Sequence, residues 1–248
     1  MHAHHPTARR LSRLIAANQR LRDAGAEPRN RSPWLPALQR WQAQRLQRSF
    51  GSFLKRGDTR PAAEFFLTDL YGDHDVSGRD AGVARIVPRL IRLLPEDFLR
   101  TAADAIELGA LSHAFDLRMV DRLVLRHGPH PTGLDEARYA QAYRDCGLPR
   151  LRARQIDLIV EVGQSLDEAV RHPMLGRVLK LSRLPARAAG LWELQRFLER
   201  GFAAFAELGG ADAFLGTIER QEREVSRRLF AGHARPFALA GGANGQGG

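Results

Sequence analysis

The chain has 248 residues, which is enough for one large domain or two small ones with a buried core. Its one cysteine, Cys146, excludes an intrachain disulfide and a cysteine-based metal cluster. No run of about 18 apolar residues occurs, and the N-terminus lacks the apolar stretch of a secretory signal, so we predict neither a transmembrane helix nor a signal peptide.

The formal net charge of +10 is confined to the N-terminal quarter of the chain. Residues 1–60 contain 13 Lys+Arg and 3 Asp+Glu, a difference of +10, whereas residues 61–248 contain 25 of each. We therefore interpret residues 1–31 as a basic N-terminal arm, residues 32–232 as one helical domain and residues 233–248 as a disordered tail.

Helical periodicity begins close to the N-terminus. Residues 1–6 are expected to be disordered, and Thr7 caps a first helix that runs to about Gly25. Its narrow apolar stripe lies among the arginines Arg9, Arg10, Arg13, Arg20 and Arg22. Ser32-Pro33 predicts the start of a second helix that extends to about Arg56, and the i, i+7 spacing of Trp34 and Trp41 on it is typical of core packing.

The third predicted helix carries an aromatic motif, Glu64-Phe65-Phe66-Leu67-Thr68-Asp69-Leu70-Tyr71-Gly72. Phe65, Phe66 and Leu67 widen the buried face of this helix, and Gly72 ends it. Ser77 with Asp80 forms a capping box for the next helix, which runs from Gly78 to Leu94 and is kinked or split at Pro88.

The second half of the chain is also helical. Pro95 opens a helix that continues towards Arg126, with a break near Asp116 as the alternative. The loop at residues 127–133 is the strongest candidate for a sub-domain boundary. The helices predicted after it are Leu134 to Cys146, Arg150 to Val170, Pro173 to about Ser182, Leu184 to Leu208 and Ala211 to Ala231.

No segment alternates apolar and polar residues long enough to predict a β-strand. The sequence therefore predicts an all-α fold, an irregular bundle of about nine or ten helices with disordered termini. Gly109, Gly163 and Gly201 interrupt helical patterns, where they either let two helices cross closely or leave room for an apolar ligand.

The polar residues after the aromatic motif are candidate ligand-binding residues: Tyr71, Asp73, His74 and Asp75. Together with Asp69 and Asp80 they offer the oxygen and nitrogen ligands of a divalent cation. Loop and helix-cap chemistry explains the same Asp and Ser residues, however, and the spacing of a calcium-binding loop is absent. We therefore predict no metal.

Other cofactor chemistry has little support. No plausible helix carries the Glu-x-x-His pair of a di-iron bundle. Haem ligation could use His74, His113 or His172, but His113 lies close to an apolar stripe and is interpreted as a partly buried structural residue. Cys146 is interpreted in the same way, because no histidine is near it. We predict no catalytic residue and no bound cofactor.

The basic arm has three interpretations. Arg9, Arg10, Arg13, Arg20 and Arg22 could contact the phosphates of a nucleic acid, or an anionic membrane surface with the help of neighbouring apolar residues. The arm could instead be solvated or bind a protein partner, and the core-like spacing of the two tryptophans favours this third interpretation.

The segment Phe65-Phe66-Leu67-Thr68-Asp69-Leu70-Tyr71 resembles the signature of an uncharacterised bacterial family named for a Phe-Phe-Leu-Glu-Glu-Leu-Tyr motif. Thr68 replaces the first Glu, and Asp69, which keeps the acid, replaces the second. The resemblance extends over about residues 30–232, through Leu93-Leu94-Pro95 and the run from Phe197 to Gly232. It implies a bacterial, cytoplasmic protein and brings no known activity or functional residues.

Two hypotheses of function follow. The first is a non-enzymatic helical interaction protein whose basic arm engages a partner. The second is a helical small-molecule or cofactor-binding protein, with or without catalytic activity, whose site lies between Tyr71 and Asp80.

Overall fold

The computed structural model describes residues 6–70, 96–181, 183–188 and 192–238. In these ranges every regular element is helical and no β-strand occurs, which confirms the all-α prediction. The predictions for the Ser77–Asp80 capping box and for the helix with Pro88 lie outside the described residues.

The helices, numbered in chain order, are α1 (Pro6–Arg22), α2 (Trp34–Ser49), α3 (Gly51–Leu54), α4 (Arg60–Phe65), α5 (Glu96–His127), α6 (Glu136–Cys146), α7 (Pro149–Arg171), α8 (Pro173–Leu181), α9 (Arg183–Ala188), α10 (Trp192–Leu208) and α11 (Asp212–Phe230). A short 3₁₀ turn, Pro28–Arg31, precedes α2. A π-helical turn, Phe66–Leu70, continues α4 and falls on the aromatic motif.

Local chemistry explains several helix ends. The Asp135 side chain accepts a hydrogen bond of 2.8 Å from the Arg138 amide and caps α6. Gly147, with φ of 66°, ends that helix, and Pro149 stands at the start of α7. Helix α5 runs through Asp116 without a break, whereas α2 ends at Ser49, earlier than the sequence predicts.

The first hydrophobic core surrounds the C-terminal half of the long helix α5. Trp34 of α2 is fully buried there, and its indole Nε1 donates a 2.8 Å hydrogen bond to the Gly128 carbonyl. Trp41 stacks on Tyr139 of α6, with ring centres 4.0 Å apart. The two tryptophans are thus packing residues, as their spacing indicates. Helix α1 lies along the N-terminal half of α5 through Leu11, which packs with Leu99 and Ala103.

The second core joins α3, α4, α7, α10 and α11. A Cβ atom on Gly163 would lie 2.5 Å from Leu215 Cδ2, and one on Gly201 would lie 2.8 Å from Phe65 Cζ. Both glycines therefore allow close packing, which selects the first of the two interpretations for them. Beyond its own helix, a Cβ atom on Gly109 would meet no atom of the described residues within 4 Å, so close crossing of the described helices does not explain this glycine.

Candidate functional site

A cavity of about 150 Å³ lies between the two cores. Its wall combines residues from α2, α4, the π-helical turn, α5, α6, α7 and α11 with Phe237 from the segment after α11. The polar part of the lining consists of Gln42, Arg45, Ser112, Asp116, Tyr139, Tyr143, Arg152, Gln155, Glu222 and Ser226. The apolar part includes Phe50, Phe66, Leu67, Ile156, Ile159, Phe214 and Ile218. We call this space the intercore cavity.

The aromatic motif supplies part of the apolar wall. Phe66 and Leu67 line the intercore cavity, and Phe66 meets Phe214 edge to face with ring centres 5.9 Å apart. Phe65, on the neighbouring face, is buried against Gly201 in the second core. The motif thus holds α4 in the core with one residue and forms the cavity wall with the next two.

Arg45 and Glu222 form an ion pair across the cavity wall. Arg45 is only 8% exposed, and its Nη1 donates to Glu222 Oε2 at 3.0 Å. Its Nη2 lies 2.8 Å from Glu222 Oε1 without hydrogen-bond geometry, and its Nε is buried without an acceptor. The pair joins α2 to α11, and each charge compensates the other.

Arg152 has a different environment. It is 6% exposed, and its guanidinium packs against two rings, with Cζ 3.7 Å from the ring centre of Phe115 and 4.4 Å from that of Tyr143. Its Nη1 donates to Gln155 Oε1 at 3.2 Å, and its Nη2 contacts the Met119 sulfur at 3.6 Å. Its Nε is buried without an acceptor, and no carboxylate of the described residues forms a salt bridge with it. Arg152 is therefore a buried cation without a salt bridge in the described part of the chain, although its charge lowers the pKa of Asp116.

The position of Arg152 on its helix is also unfavourable for its positive charge. Arg152 is the fourth residue of α7, close to the N-terminal end, where the helix dipole disfavours a cation. No side chain caps that end. The local electrostatics thus favour an anion beside Arg152.

The remaining polar groups of the wall are hydrogen-bonded to one another. Gln42 Nε2 donates to Asp116 Oδ1 at 3.0 Å, and Tyr143 Oη lies 2.9 Å from Ser226 Oγ. Burial raises the pKa of the Asp116 carboxyl above its usual range and raises the pKa of Tyr139 to about 12. Burial therefore favours the neutral form of both groups.

The predicted ligand residues Tyr71, Asp73, His74 and Asp75 lie outside the described residues. His113 is buried, and its Nε2 lies 2.7 Å from Asn30 Oδ1. Burial is the main cause that lowers the pKa of His113 to about 4. In the ranges that the structure describes, no group of three or more His, Cys, Asp and Glu side chains could hold a metal ion.

The five predicted arginines of the basic arm fall into two groups. Arg10 contacts Asp104 Oδ1 at 2.7 Å and also Glu107, and Arg22 Nε donates to Asn18 Oδ1 at 3.3 Å. Arg9, Arg13 and Arg20 are exposed and share one face of α1. Among the described residues, no helix has the length and apolar character needed to cross a membrane.

The charged cavity residues were not among the predicted site residues, although the sequence contains a signal for them. Arg152 shares a face of α7 with Ile156 and Ile159 at helical spacing, so that a charge occupies a core position. Glu222 stands in the same way between Ile218 and Val225 on α11. A charged residue within the apolar stripe of a helix was thus the sequence pattern that could have identified these cavity residues.

The chain was compared with known proteins at the level of family, sequence and structure. A family model described as Domain of unknown function (DUF8198) matches residues 21–236. Neither the comparison with curated proteins nor the comparison with solved structures gives a significant match.

Proposed function

The chain belongs to the DUF8198 family of domains of unknown function, and because that membership carries no activity, we propose from the geometry that the protein binds a small molecule in the intercore cavity. We also propose that this family is the one named for the Phe-Phe-Leu-Glu-Glu-Leu-Tyr motif. The resemblance over about residues 30–232 nearly coincides with the matched residues 21–236.

One observation supports the binding function most directly. Among the described residues, five buried side-chain polar atoms lack a hydrogen-bond partner. Arg45 Nη2 and Glu222 Oε1 are two of them and lie 2.8 Å apart in their ion pair, whereas Arg45 Nε and Arg152 Nε have no acceptor. All three residues line the intercore cavity. Buried polar groups in folded proteins nearly always have partners, so a concentration of unpaired ones around a cavity indicates that a bound molecule supplies the missing partners.

The size of the cavity limits the ligand. A volume of about 150 Å³ is comparable to that of an engineered apolar cavity that holds one benzene molecule. The aromatic side chains Phe50, Phe66 and Phe214 offer an apolar surface to such a ring, and the polar residues can orient it. The proposed ligand is thus a small molecule of about one ring. The candidate residues Tyr71, Asp73, His74 and Asp75 follow the cavity-lining Leu67 closely in sequence and are proposed as further contacts.

Isoleucine methyl NMR tests this function without knowledge of the natural ligand. Ile156, Ile159 and Ile218 line the cavity, whereas Ile15 and Ile106 pack between α1 and α5 and serve as internal controls. Titration with benzyl alcohol, a neutral ring-sized probe, is expected to shift the three cavity signals saturably and to leave the two controls unchanged. If no cavity signal moves, or if all isoleucine signals move alike, the cavity is not a binding site.

A second candidate function uses the exposed face of α1. Arg9, Arg13 and Arg20 have no salt-bridge partner among the described residues, so they are available to a polyanion such as a nucleic acid. Leu11 of the same helix is buried against α5, which leaves little apolar surface for a membrane. Changing the three exposed arginines to glutamine should weaken salt-dependent binding to single-stranded nucleic acid. Equal binding before and after the change would eliminate this candidate.

A further inference from the structure

We propose that the ligand of the intercore cavity is a small monoanion with a planar carboxylate group, and that Arg152 is the residue that binds this group. The inference rests on the proposed binding function and adds the chemical class of the ligand and its main contact.

The state of Arg152 is the first argument. Arginine is almost never fully buried unless it is paired, because removing its charge from water is unfavourable without a compensating partner. Here Arg152 is 6% exposed, its Nε has no acceptor among the described residues, and its Nη2 contacts a thioether sulfur, which is a weak acceptor. A carboxylate in the cavity would supply a negative charge beside this guanidinium.

The number of charges in the wall limits the ligand to one negative charge. Arg45 and Glu222 neutralise each other. Asp116 is the only other carboxyl group in the described lining; burial raises its pKa, whereas its hydrogen bond to Gln42 and the charge of Arg152 lower it. Arg152 forms no salt bridge with a carboxylate of the described residues and is the one cation of that lining outside the Arg45–Glu222 pair. A dianion such as a phosphate monoester would leave one negative charge buried and unpaired.

The surroundings of the guanidinium favour a planar group. The rings of Phe115 and Tyr143 pack against the guanidinium, which favours approach of a ligand to the nitrogen atoms at its edge. A carboxylate meets such an edge in plane, and arginine commonly binds it through two parallel hydrogen bonds. The apolar part of the ligand would then lie against the phenylalanine side of the cavity.

Matched pairs of probes separate this inference from the proposed function. The pairs are benzoate with benzyl alcohol and isobutyrate with isobutanol, and the two members of each pair differ chiefly in charge. All four compounds are titrated into the full chain at pH 7. Because each added charge-assisted contact contributes more than a neutral one, we expect at least one carboxylate to bind about tenfold more tightly than its alcohol at the cavity isoleucines. Inorganic phosphate should bind at least about tenfold more weakly than that carboxylate.

Variants assign the contact. Arg152→Met should weaken carboxylate binding about tenfold or more and change alcohol binding less than about threefold. Arg154→Met is the matched control, because Arg154 lies on the same helix, is 37% exposed and pairs with Glu161, and it should leave both affinities unchanged. Arg152→Lys keeps the charge but loses the planar fork, so carboxylate affinity should fall by about threefold or more. Arg152→Lys also tests the assignment of Arg152 if the Arg152→Met variant does not fold.

The outcomes are distinct. Alcohol binding at the cavity with equal or weaker carboxylate binding would overturn the monoanion inference and leave the proposed function standing. Carboxylate binding that survives in both Arg152 variants would overturn the assignment of Arg152. If neither member of either pair reaches the cavity isoleucines, the inference and the proposed function both fail.

Discussion

The contrast between Arg45 and Arg152 predicts losses of different size for the same substitution. Both are buried arginines of the cavity wall, but Arg45 is paired with Glu222 and Arg152 has no carboxylate partner among the described residues. Methionine fills a similar volume without charge in each case. The effect on the free energy of unfolding should therefore depend on the partner and not on burial.

The Arg45→Met change leaves Glu222 as a largely buried carboxylate, since that side chain is only 18% exposed. Breaking a buried ion pair from one side typically costs about 3–5 kcal/mol. We expect a loss of this order in the free energy of unfolding.

The Arg152→Met change removes terms of both signs. The hydrogen bond to Gln155 contributes about 0.5–1.5 kcal/mol, and each cation–π contact contributes about 0.5–2 kcal/mol. Against these losses, the variant no longer buries an unpaired donor, which costs about 1–3 kcal/mol, nor an uncompensated charge. The losses sum to about 1.5–5.5 kcal/mol and are offset by the two gains, so we expect a smaller net loss than for Arg45→Met in ligand-free protein.

Urea denaturation followed by circular dichroism, on protein freed of ligand by unfolding and refolding, measures both changes. A loss for Arg152→Met as large as that for Arg45→Met would refute the reasoning, because it would show that Arg152 is as well compensated as Arg45. The double change Arg45→Met with Glu222→Leu is the control. It should recover most of the stability lost by Arg45→Met, since no unpaired charge remains.

Three further predictions concern the fold around the cavity. Because the folded-state pKa of His113 is about 4, below its ordinary value of 6.5, protonation favours the unfolded chain, so stability should fall by about 3 kcal/mol as pH decreases from 6.5 to 4. His113→Gln should reduce this pH dependence of the free energy of unfolding in urea titrations. An unchanged dependence on pH would show that other groups cause it. Gly163→Ala should destabilise by about 1–3 kcal/mol, because its Cβ would lie 2.5 Å from Leu215 Cδ2, whereas Gly109→Ala should stabilise by up to about 1 kcal/mol in its open surroundings. Equal urea midpoints for the two alanine variants would contradict this packing argument. Phe237→Ala should lower the melting temperature, with a loss of about 1–3 kcal/mol, because the ring packs on the first core; no loss would mean that the C-terminal segment adds nothing to stability.

Much of the helical pattern was predictable because it depends on local sequence. Helix α6 and helix α7 begin and end within about two residues of the predicted positions, since turn glycines, prolines and the apolar period all lie within each segment. The early end of α2 was not predictable in this way. After it, Thr59 Oγ1 donates a 2.9 Å hydrogen bond to the Phe53 carbonyl within the turn that leads into α4, a side-chain contact that apolar periodicity does not indicate.

The aromatic motif was correctly recognised as a packing element but not as a cavity wall. Its periodicity shows that Phe65 and Phe66 are on the apolar side of a helix. Which of them enters the core and which faces the cavity depends on the partners that fold against them, Gly201 and Phe214. Phe237, in the segment predicted to be disordered, likewise packs beside Trp41 with ring centres 5.5 Å apart.

The sequence by itself determined the helical class and the position of the excess positive charge, because periodicity and charge can be counted along the chain. Only the tertiary structure decided what the individual charges do. Arg10 of the basic arm meets Asp104, and Arg45 meets Glu222 across 177 positions of sequence, while Arg152 meets no carboxylate of the described residues. Electrostatic compensation depends on distance in space, and helix packing sets that distance.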